Sequence, residues 1–568
     1  MSIAYDSNQS NRHVIIILLC SLSAHGLLLL NDGVYWDGWI IYNYLTEKNW
    51  YHVYLFCAEP GGIPVGAFFH WMMGYFPDII FGYKLVSFIS ITLSGVLVYR
   101  ICNHFDFGSR RDSLCIAIMS ILYPAFQCTI ELIITFRILC LCLFLLAGLL
   151  FIKSEKAKSF TRYLLRASAL ALFIISFTHR SFLVFYYAFF LVYILYMLRE
   201  EGGLERKTVY KTVIHNLPYL AIPVAYLALS SLLFPAFGFQ SKQYSTDFTL
   251  QRMFESCKYF FQVTAINQLE ASLKNMLSLP LASLLVLLAA AVPWIYPAAR
   301  LNMTDRSRNR INPLKLLALG LALFFLGIFA YAAARKTPSM FGWTSRHSLL
   351  VGLPMAVVLL SLVRLVVSAA AAALVWVKRN RNYARMQVQS RLELSVLTIL
   401  MGAFCLSTVT SYISWQARWV HDRSIMTQLP SLKAAEKTSI FWVNDFFQAF
   451  GESYRDYEWS SIFKEIWGDE SRIGVDYRVR SAHYFVDQQA YLIDRYIHKD
   501  FDPKGCQANL TIRPGPEMQL GKNQSLDLTV RYFYFKFLFA EHLENFLSGV
   551  TDIQLQPIQA SQAVNCSG

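Results

Sequence analysis

The chain alternates between long apolar segments and short polar connections over most of its length. Eleven apolar segments approach or exceed the ~18 residues that a helix needs to cross the hydrocarbon core of a bilayer. A further apolar segment, 63–80, is interrupted by His70, Gly74, Pro77 and Asp78, so we expect it to enter one leaflet without crossing. The predicted spans are 13–30, 81–102, 114–128, 132–152, 164–178, 181–198, 214–237, 276–298, 316–334, 349–377 and 392–415.

The composition agrees with a membrane protein. Of 568 residues, 55% are hydrophobic and only 15% are charged, which excludes an ordinary soluble enzyme. The predicted fold class is an all-α polytopic membrane protein with about eleven transmembrane helices plus a re-entrant or interfacial segment.

The pattern changes after Trp415 to a mixed, charged segment of the size of one domain. Residues 439–444 and 526–537 alternate β-branched and aromatic side chains and predict strands, while 431–437 and 538–547 predict helical pieces. We therefore divide the chain into a transmembrane domain, 1–415, and a C-terminal α+β domain, 416–568.

The charge distribution predicts the orientation. Of 51 Lys+Arg and 37 Asp+Glu, 16 and 19 follow Trp415, so the membrane portion carries 35 basic against 18 acidic residues. These basic residues lie in short connections, which the positive-inside rule assigns to the cytoplasm, rather than forming a nucleic-acid surface. We expect a cytoplasmic amino terminus and an extracytoplasmic C-terminal domain, in a bacterial inner membrane or the endoplasmic reticulum. In an oxidising compartment, Cys506 and Cys566 could form a disulfide.

The first outer loop, 31–63, places carboxylates among aromatic rings at the membrane boundary. Asp32 and Asp37 lie in the run Asn31-Asp-Gly-Val-Tyr-Trp-Asp-Gly-Trp-Ile40. Partly dry surroundings suit a carboxylate to general-base work. Asp37 could simply cap the helix that follows, but its position on the predicted outer face favours catalysis. Asp37 is the first candidate and Asp32 the second.

Other side chains of the same face are candidates for catalysis or binding. Glu59, in the turn at the end of the first loop, is the next catalytic candidate, and Glu131, at the next outer hairpin, is a third acid that could contact substrate. Trp36 and Trp39 flank Asp37 and could contact the substrate.

Phosphate binding would need outer cations, and few are present. Arg346 with His347 is the preferred pair, Arg180 follows, and Lys84 is a third candidate. The alternative is that these cations reach toward lipid headgroups. Arg137 and Arg364 lie deeper in predicted spans, where a structural ion pair or a path to the lipid remains open for either.

A metal site is weakly signalled. Asp32 and Asp37 could hold a divalent cation, but the Asp-x-Asp triple that would favour it is missing. We therefore expect neither a metal nor another cofactor.

These features together resemble the C-type polytopic glycosyltransferases (GT-C), which use polyprenyl-phosphate sugars. The resemblance is clearest, over residues 31–124, to the branch with protein O-mannosyltransferases and lipid A aminoarabinose transferases. Ala58-Glu-Pro-Gly-Gly-Ile-Pro-Val65 stands where that branch has a proline-rich turn. Phe81-Gly-Tyr-Lys-Leu-Val-Ser-Phe88 is similar to its Gly…Arg-Leu…Ser stretch, with Lys84 in place of Arg. The first-loop acids differ, since the family commonly has adjacent Asp-Glu.

The resemblance implies transfer of a sugar from a polyprenyl-phosphate donor to a glycan, lipid or protein acceptor on the extracytoplasmic side, with membrane lipids as neighbours. Two alternatives stay open. A lipid or glycan transporter or flippase would tend to show internal repeats, and the sequence has none at an obvious offset. A glycan polymerase or ligase would instead use a diphosphate-linked oligosaccharide.

Overall fold

The computed structural model of the chain describes residues 2–200, 206–237, 249–295, 312–376, 382–447, 454–479, 505–518 and 524–558. Helices dominate up to residue 428, because the apolar segments satisfy their backbone hydrogen bonds internally. These helices are α1 (Ser2–His25), α2 (Gly38–Thr46), α3 (Trp50–Ala58), α4 (Val65–Met73), α5 (Ile79–His104), α6 (Arg110–Leu122), α7 (Leu132–Ser154), α8 (Ser159–Ser176), α9 (Ser181–Glu200), α10 (Arg206–Leu220), α11 (Ile222–Leu233), α12 (Leu250–Phe261), α13 (Gln268–Ser278), α14 (Pro280–Ile295), α15 (Pro313–Ala333), α16 (Gly352–Trp376) and α17 (Asn382–Gln428).

The helical membrane architecture is confirmed. Within the described ranges, nine helices are long and apolar enough to span a membrane, or ten if the pair Leu250–Ser278 and Pro280–Val292, bent by 106°, is one span. The remaining predicted span, 114–128, corresponds to α6, which has 13 residues. Its apolar side chains are mostly buried against neighbouring helices.

Short helices replace a crossing between the first two long spans. Segment 63–80 contains α4, whose nine residues rise only about 14 Å, so it does not cross. The side chain of Asp78 then accepts a hydrogen bond from the amide of Phe81 (2.9 Å) and caps α5. The absence of a crossing in 63–80 agrees with the expectation, and its re-entrant or interfacial placement stays a prediction.

The C-terminal part contains a small sheet packed on the end of α17. Its strands are β1 (Ile440–Asp445), β2 (Ile473–Asp476), β3 (Gln507–Pro514) and β4 (Thr551–Pro557), and its helices are α18 (Lys433–Glu436), α19 (Asp456–Trp467), α20 (Gln524–Leu538) and α21 (Leu543–Val550). The strand order is β2-β1-β3-β4, with β1 parallel to β2 and β3, and with β3 antiparallel to β4. Helix α17 continues through Trp415 to Gln428, so the change in composition falls inside a helix.

One predicted strand is wrong. Residues 526–537 form helix α20, although the strand at 439–444 is confirmed as β1. Leu528, Thr529 and Tyr532 are buried at helical spacing, and the hydroxyl of Thr529 donates to the carbonyl of Ile413 in α17 (3.1 Å). Packing on α17 thus overrides the strand preference of the aromatic residues.

Arg364 takes part in a structural ion pair. Its guanidinium contacts Asp112 of α6 and donates to Glu393 of α17 (3.2 Å), and all three side chains are buried. A paired charge of this kind ties helices together inside the membrane portion.

Candidate active site at the first loop

Asp37 stands at the start of α2 without acting as a cap. Its side chain makes no capping hydrogen bond. Instead, its Oδ1 accepts a hydrogen bond from the hydroxyl of Tyr457 in α19 (2.6 Å). The preceding Trp36 has a φ of 45°, a left-handed conformation uncommon for a large residue. The carboxylate is therefore held in place by a distant element rather than used to terminate the helix.

Asp32 has a different role from Asp37. Its Oδ2 accepts hydrogen bonds from Tyr532 (2.7 Å) and Lys536 (2.8 Å) of α20. Burial raises the pKa of Asp32, but the hydrogen bonds and charge of these two neighbours outweigh burial and hold the pKa below its usual range. An ionised, paired carboxylate is a weak proton acceptor, so Asp32 attaches the first loop to the C-terminal domain.

Glu131 lies directly against the start of α2. A Cβ on Gly38 would stand 2.6 Å from Oε1 of Glu131, so only glycine permits this approach. The side chain is fully buried, and neither carboxylate oxygen makes a hydrogen bond of normal geometry with a described residue. Burial, followed by the negative charge of Asp37, raises the pKa of Glu131 well above its usual value, while Lys84 opposes this. Asp37 and Glu131 therefore form a pair of neighbouring acids, and burial keeps the proton on Glu131 above the usual pH range.

Lys84 is buried in α5 beside this pair. Its ammonium donates to the carbonyl of Ile130, just before Glu131, and lies 5.5 Å from the ring of Tyr35. Its charge acts on both Glu131 and Asp32. Lys84 thus places a positive charge beside the carboxyl groups of Glu131 and Asp32.

Aromatic rings connect the first loop, beside Asp37, to the turn that carries Arg346. The ring of Trp36 lies 5.6 Å from that of Trp343, and the guanidinium of Arg346 stacks 3.8 Å from the same Trp343 ring. These residues are more than 300 positions apart in sequence. The fold therefore brings the first loop, at the residue before Asp37, into contact with the Trp343–Ser348 turn that carries Arg346.

Arg137 is the second arginine of the site. It lies in the second turn of α7, half-buried, and forms neither a hydrogen bond nor an ion pair with any described residue. Burial raises the pKa of the Cys128 thiol to about 12, with Arg137 and Arg346 lowering it and Glu131 raising it. Arg137, Arg346 and Glu131 consequently lie near Cys128. An unpaired arginine in a membrane helix is by default a candidate for function.

The histidines beside these arginines are neutral. Burial and then the charge of Arg346 lower the pKa of His347 to about 3, and its Nδ1 lies 3.0 Å from the carbonyl of Thr337. Burial and then Arg137 lower the pKa of His179 well below its ordinary value. The positive charge available for an anion therefore comes from arginine.

The structure places the three other candidates as follows. Glu59 ends α3 in a loop whose backbone bonds to the segment after α11, where the amide of Phe237 donates to the carbonyl of Glu59 (3.1 Å). Arg180 is exposed, near Tyr226. Trp39 is buried with its ring 6.1 Å from that of Trp419, a packing position between α2 and α17.

Two residues of the C-terminal domain complete the site and were missed by the sequence reasoning. Tyr457 contacts Asp37, and the Oε1 of Glu458 accepts from the amide of Trp36 (3.1 Å) and from Nη2 of Arg418 (2.7 Å). The only available signal was that Glu458 follows the start of an amphipathic segment, which does not reveal a partner 422 residues away.

No metal ligand set is visible in the parts of the chain that the structure describes. Groups of three or more His, Cys, Asp or Glu side chains suited to a metal are missing from them. The expectation of no metal stays a prediction. Cys506 is disulfide-bonded, whereas Cys566 lies outside the described residues.

No protein-family model and no curated protein matches the chain. It is similar in fold to two crystal structures of ArnT from Cupriavidus metallidurans. The structure bound to undecaprenyl phosphate aligns with a TM-score of 0.40 and 12% identity, and the apo structure with 0.36 and 11%. Each alignment covers 90% of this chain and 94% of the other. At these values the similarity carries no conclusion about family, activity, ligand or individual residues.

Proposed function

We propose that the protein is an integral membrane glycosyltransferase that transfers a sugar from a polyprenyl-phosphate donor to a hydroxyl-bearing glycan, lipid or protein acceptor on the extracytoplasmic side. The observation that carries this proposal is that Glu131 lies against the start of α2 beside Asp37, and that Glu131, Arg137 and Arg346 all lie near Cys128, just before membrane helix α7. A carboxylate base and cations for a phosphate leaving group are what this reaction needs.

In the proposed reaction, the acids and the arginines of the site have different roles. Asp37 takes the proton of the acceptor hydroxyl through its Oδ2, while the acceptor oxygen bonds to the anomeric carbon of the sugar. The bond from that carbon to the phosphate oxygen breaks, and the polyprenyl phosphate leaves with the electron pair. Arg137 and Arg346 stabilise the charge that grows on the phosphate, since planar guanidinium groups offer paired donors. Protonated Glu131 adds no second negative charge beside the base.

The membrane placement supports a lipid-linked donor. Arg137 belongs to a helix long enough to span the bilayer, and the turn that carries Arg346 lies between two such helices, α15 and α16. A phosphate held between them would have its lipid chain in the hydrocarbon layer. The outward orientation is supported by the basic connections assigned to the cytoplasm and by the disulfide of Cys506, which suits an oxidising compartment.

The test is transfer by the purified protein in detergent from a panel of radiolabelled polyprenyl-monophosphate sugars, beside polyprenyl-diphosphate oligosaccharides. We expect release of polyprenyl monophosphate that depends on an added acceptor. A protein that consumes no donor, or consumes only diphosphate oligosaccharides, would contradict the proposal. The second outcome would favour the polymerase or ligase.

A matched pair of variants locates the phosphate. Arg346→Gln removes a guanidinium from the site, whereas Arg180→Gln removes an exposed one elsewhere on the same predicted face. Loss of one charged hydrogen bond of roughly 1.5–3 kcal/mol predicts a rise in the KM for the donor of about tenfold to a hundredfold for the first variant only. Equal KM values for the two variants would remove Arg346 from the site.

A further inference from the structure

Helix α19 of the C-terminal domain makes hydrogen bonds both to the side chain of the candidate base, Asp37, and to the backbone of the preceding residue. Tyr457 donates to Oδ1 of Asp37 (2.6 Å), and its neighbour Glu458 accepts from the amide of Trp36 (3.1 Å). Asp37 accepts a side-chain hydrogen bond from Tyr457 alone among the described residues. Two consecutive residues of one helix thus fix the turn that presents the carboxylate.

A buried ion pair fixes the position of Glu458, which accepts the hydrogen bond from this turn. Glu458 and Arg418 are each 1% exposed at the side chain, with Nη2 of Arg418 2.7 Å from Oε1 of Glu458. The Arg418 guanidinium also stacks 4.0 Å from the ring of Tyr454. Separating such a pair would leave an uncompensated buried charge, so α19 cannot move away from α17 at low cost, and Glu458 stays in place to accept from the Trp36 amide.

Further along α19, polar contacts set its register on α2. Asn43 donates to the hydroxyl of Ser461 (3.0 Å), and Lys464 forms an ion pair with Glu47. These contacts lie one and two turns beyond Tyr457. The two helices therefore meet along their length, and the phenol reaches Asp37 as part of a fixed interface.

We propose that Tyr457 is a positioning residue for the base, so that the C-terminal domain is a part of the catalytic unit. The inference rests on the proposed function. By holding Oδ1, the phenol leaves Oδ2 as the oxygen that receives the proton of the acceptor hydroxyl. Tyr457 keeps its own proton throughout, and no bond to it forms or breaks. Its contribution is orientation, which matters because small displacements of a reacting group are expensive in rate.

The variant Tyr457→Phe tests this role with Ser461→Ala as its matched control. Both remove one hydroxyl from α19 at the interface with α2, but only the first contacts Asp37. We expect Tyr457→Phe to lower kcat by about tenfold to a hundredfold, with an unchanged KM for the donor and an unchanged melting temperature. Ser461→Ala should leave kcat and KM unchanged. If both variants lose kcat equally, the contact serves only to pack the domain.

A double-mutant cycle separates orientation of the base from any other effect. In an Asp37→Asn background, Tyr457→Phe should cause no further loss of kcat, because both changes remove the same function. An additive second loss, or a Tyr457→Phe variant as fast as wild type, would overturn the positioning role while leaving the proposed function standing. If wild type itself transfers sugar from no polyprenyl-phosphate donor, the proposed function fails and this inference with it.

Discussion

Replacing Glu131 with glutamine should change how stability depends on pH. The native carboxyl is buried and its pKa is raised well above the ordinary 4.5. Above that ordinary value, the unfolded chain has released this proton while the native protein still holds it. The free energy of unfolding changes with pH in proportion to the number of protons that the unfolded state binds minus the number that the native state binds. Because the native state binds one more proton here, the contribution of Glu131 to stability falls as pH rises. The limit for one proton is about 1.4 kcal/mol per pH unit. Glu131→Gln does not titrate and lacks this slope.

The measurement is unfolding of both proteins in mild detergent at pH 5, 6 and 7, followed by tryptophan fluorescence. At the lowest pH the two differ by a fixed offset. As the pH rises, the free energy of unfolding of the variant should increase relative to that of wild type by up to about 1.4 kcal/mol for each unit of pH, until the native carboxyl of Glu131 ionises. Parallel curves across this range would show that Glu131 is ionised in the native protein and would refute its assignment as the proton-holding member of the acid pair.

Three further substitutions separate structural from functional charges. Asp32→Asn should lower stability at neutral pH by about 1 kcal/mol after solvent screening; because the native pKa of Asp32 is depressed, the difference should vanish in acid unfolding once the pH falls through that pKa. Arg137→Lys keeps the charge but loses the paired donors, so the KM for the donor should rise about tenfold in steady-state assays at unchanged melting temperature. Arg364→Gln breaks the ion pair with Asp112 and Glu393 and should cost about 3–5 kcal/mol of stability, with the activity of the folded fraction unchanged in assays corrected for the amount of folded protein. An unchanged KM for the donor in Arg137→Lys would contradict the phosphate-binding role of Arg137. Stability equal to wild type in Arg364→Gln would contradict the structural role of that ion pair.

The spans could be predicted because apolar length is a direct physical requirement of the bilayer. That signal fails where protein, instead of lipid, surrounds an apolar segment, as in α6. It also fails where packing overrides local preference, as in α20, whose buried face lies on α17. Both failures have one cause, since a sequence shows how apolar a segment is and not what covers it.

The site was partly predictable for a similar reason. Asp37 and Trp36 stand out locally, as carboxylate and aromatic ring at a predicted membrane boundary, and Arg346 stands out as a rare cation on the predicted outer face. Their meeting depends on the contact of Trp36 with Trp343, which no local pattern encodes. Tyr457 carried no signal at all, because a tyrosine near the start of a helix is ordinary until its partner is known.

The central claim, that Asp37 is the base, is tested most directly by single-turnover transfer with Asp37→Asn and Asp32→Asn. The two substitutions are the same chemical change in the same loop. General-base catalysis predicts that Asp37→Asn slows transfer by about a hundredfold or more, with donor binding intact, while Asp32→Asn stays within a few-fold of wild type when corrected for folded protein. Transfer by Asp37→Asn at the wild-type rate, or a loss confined to Asp32→Asn, would contradict the account.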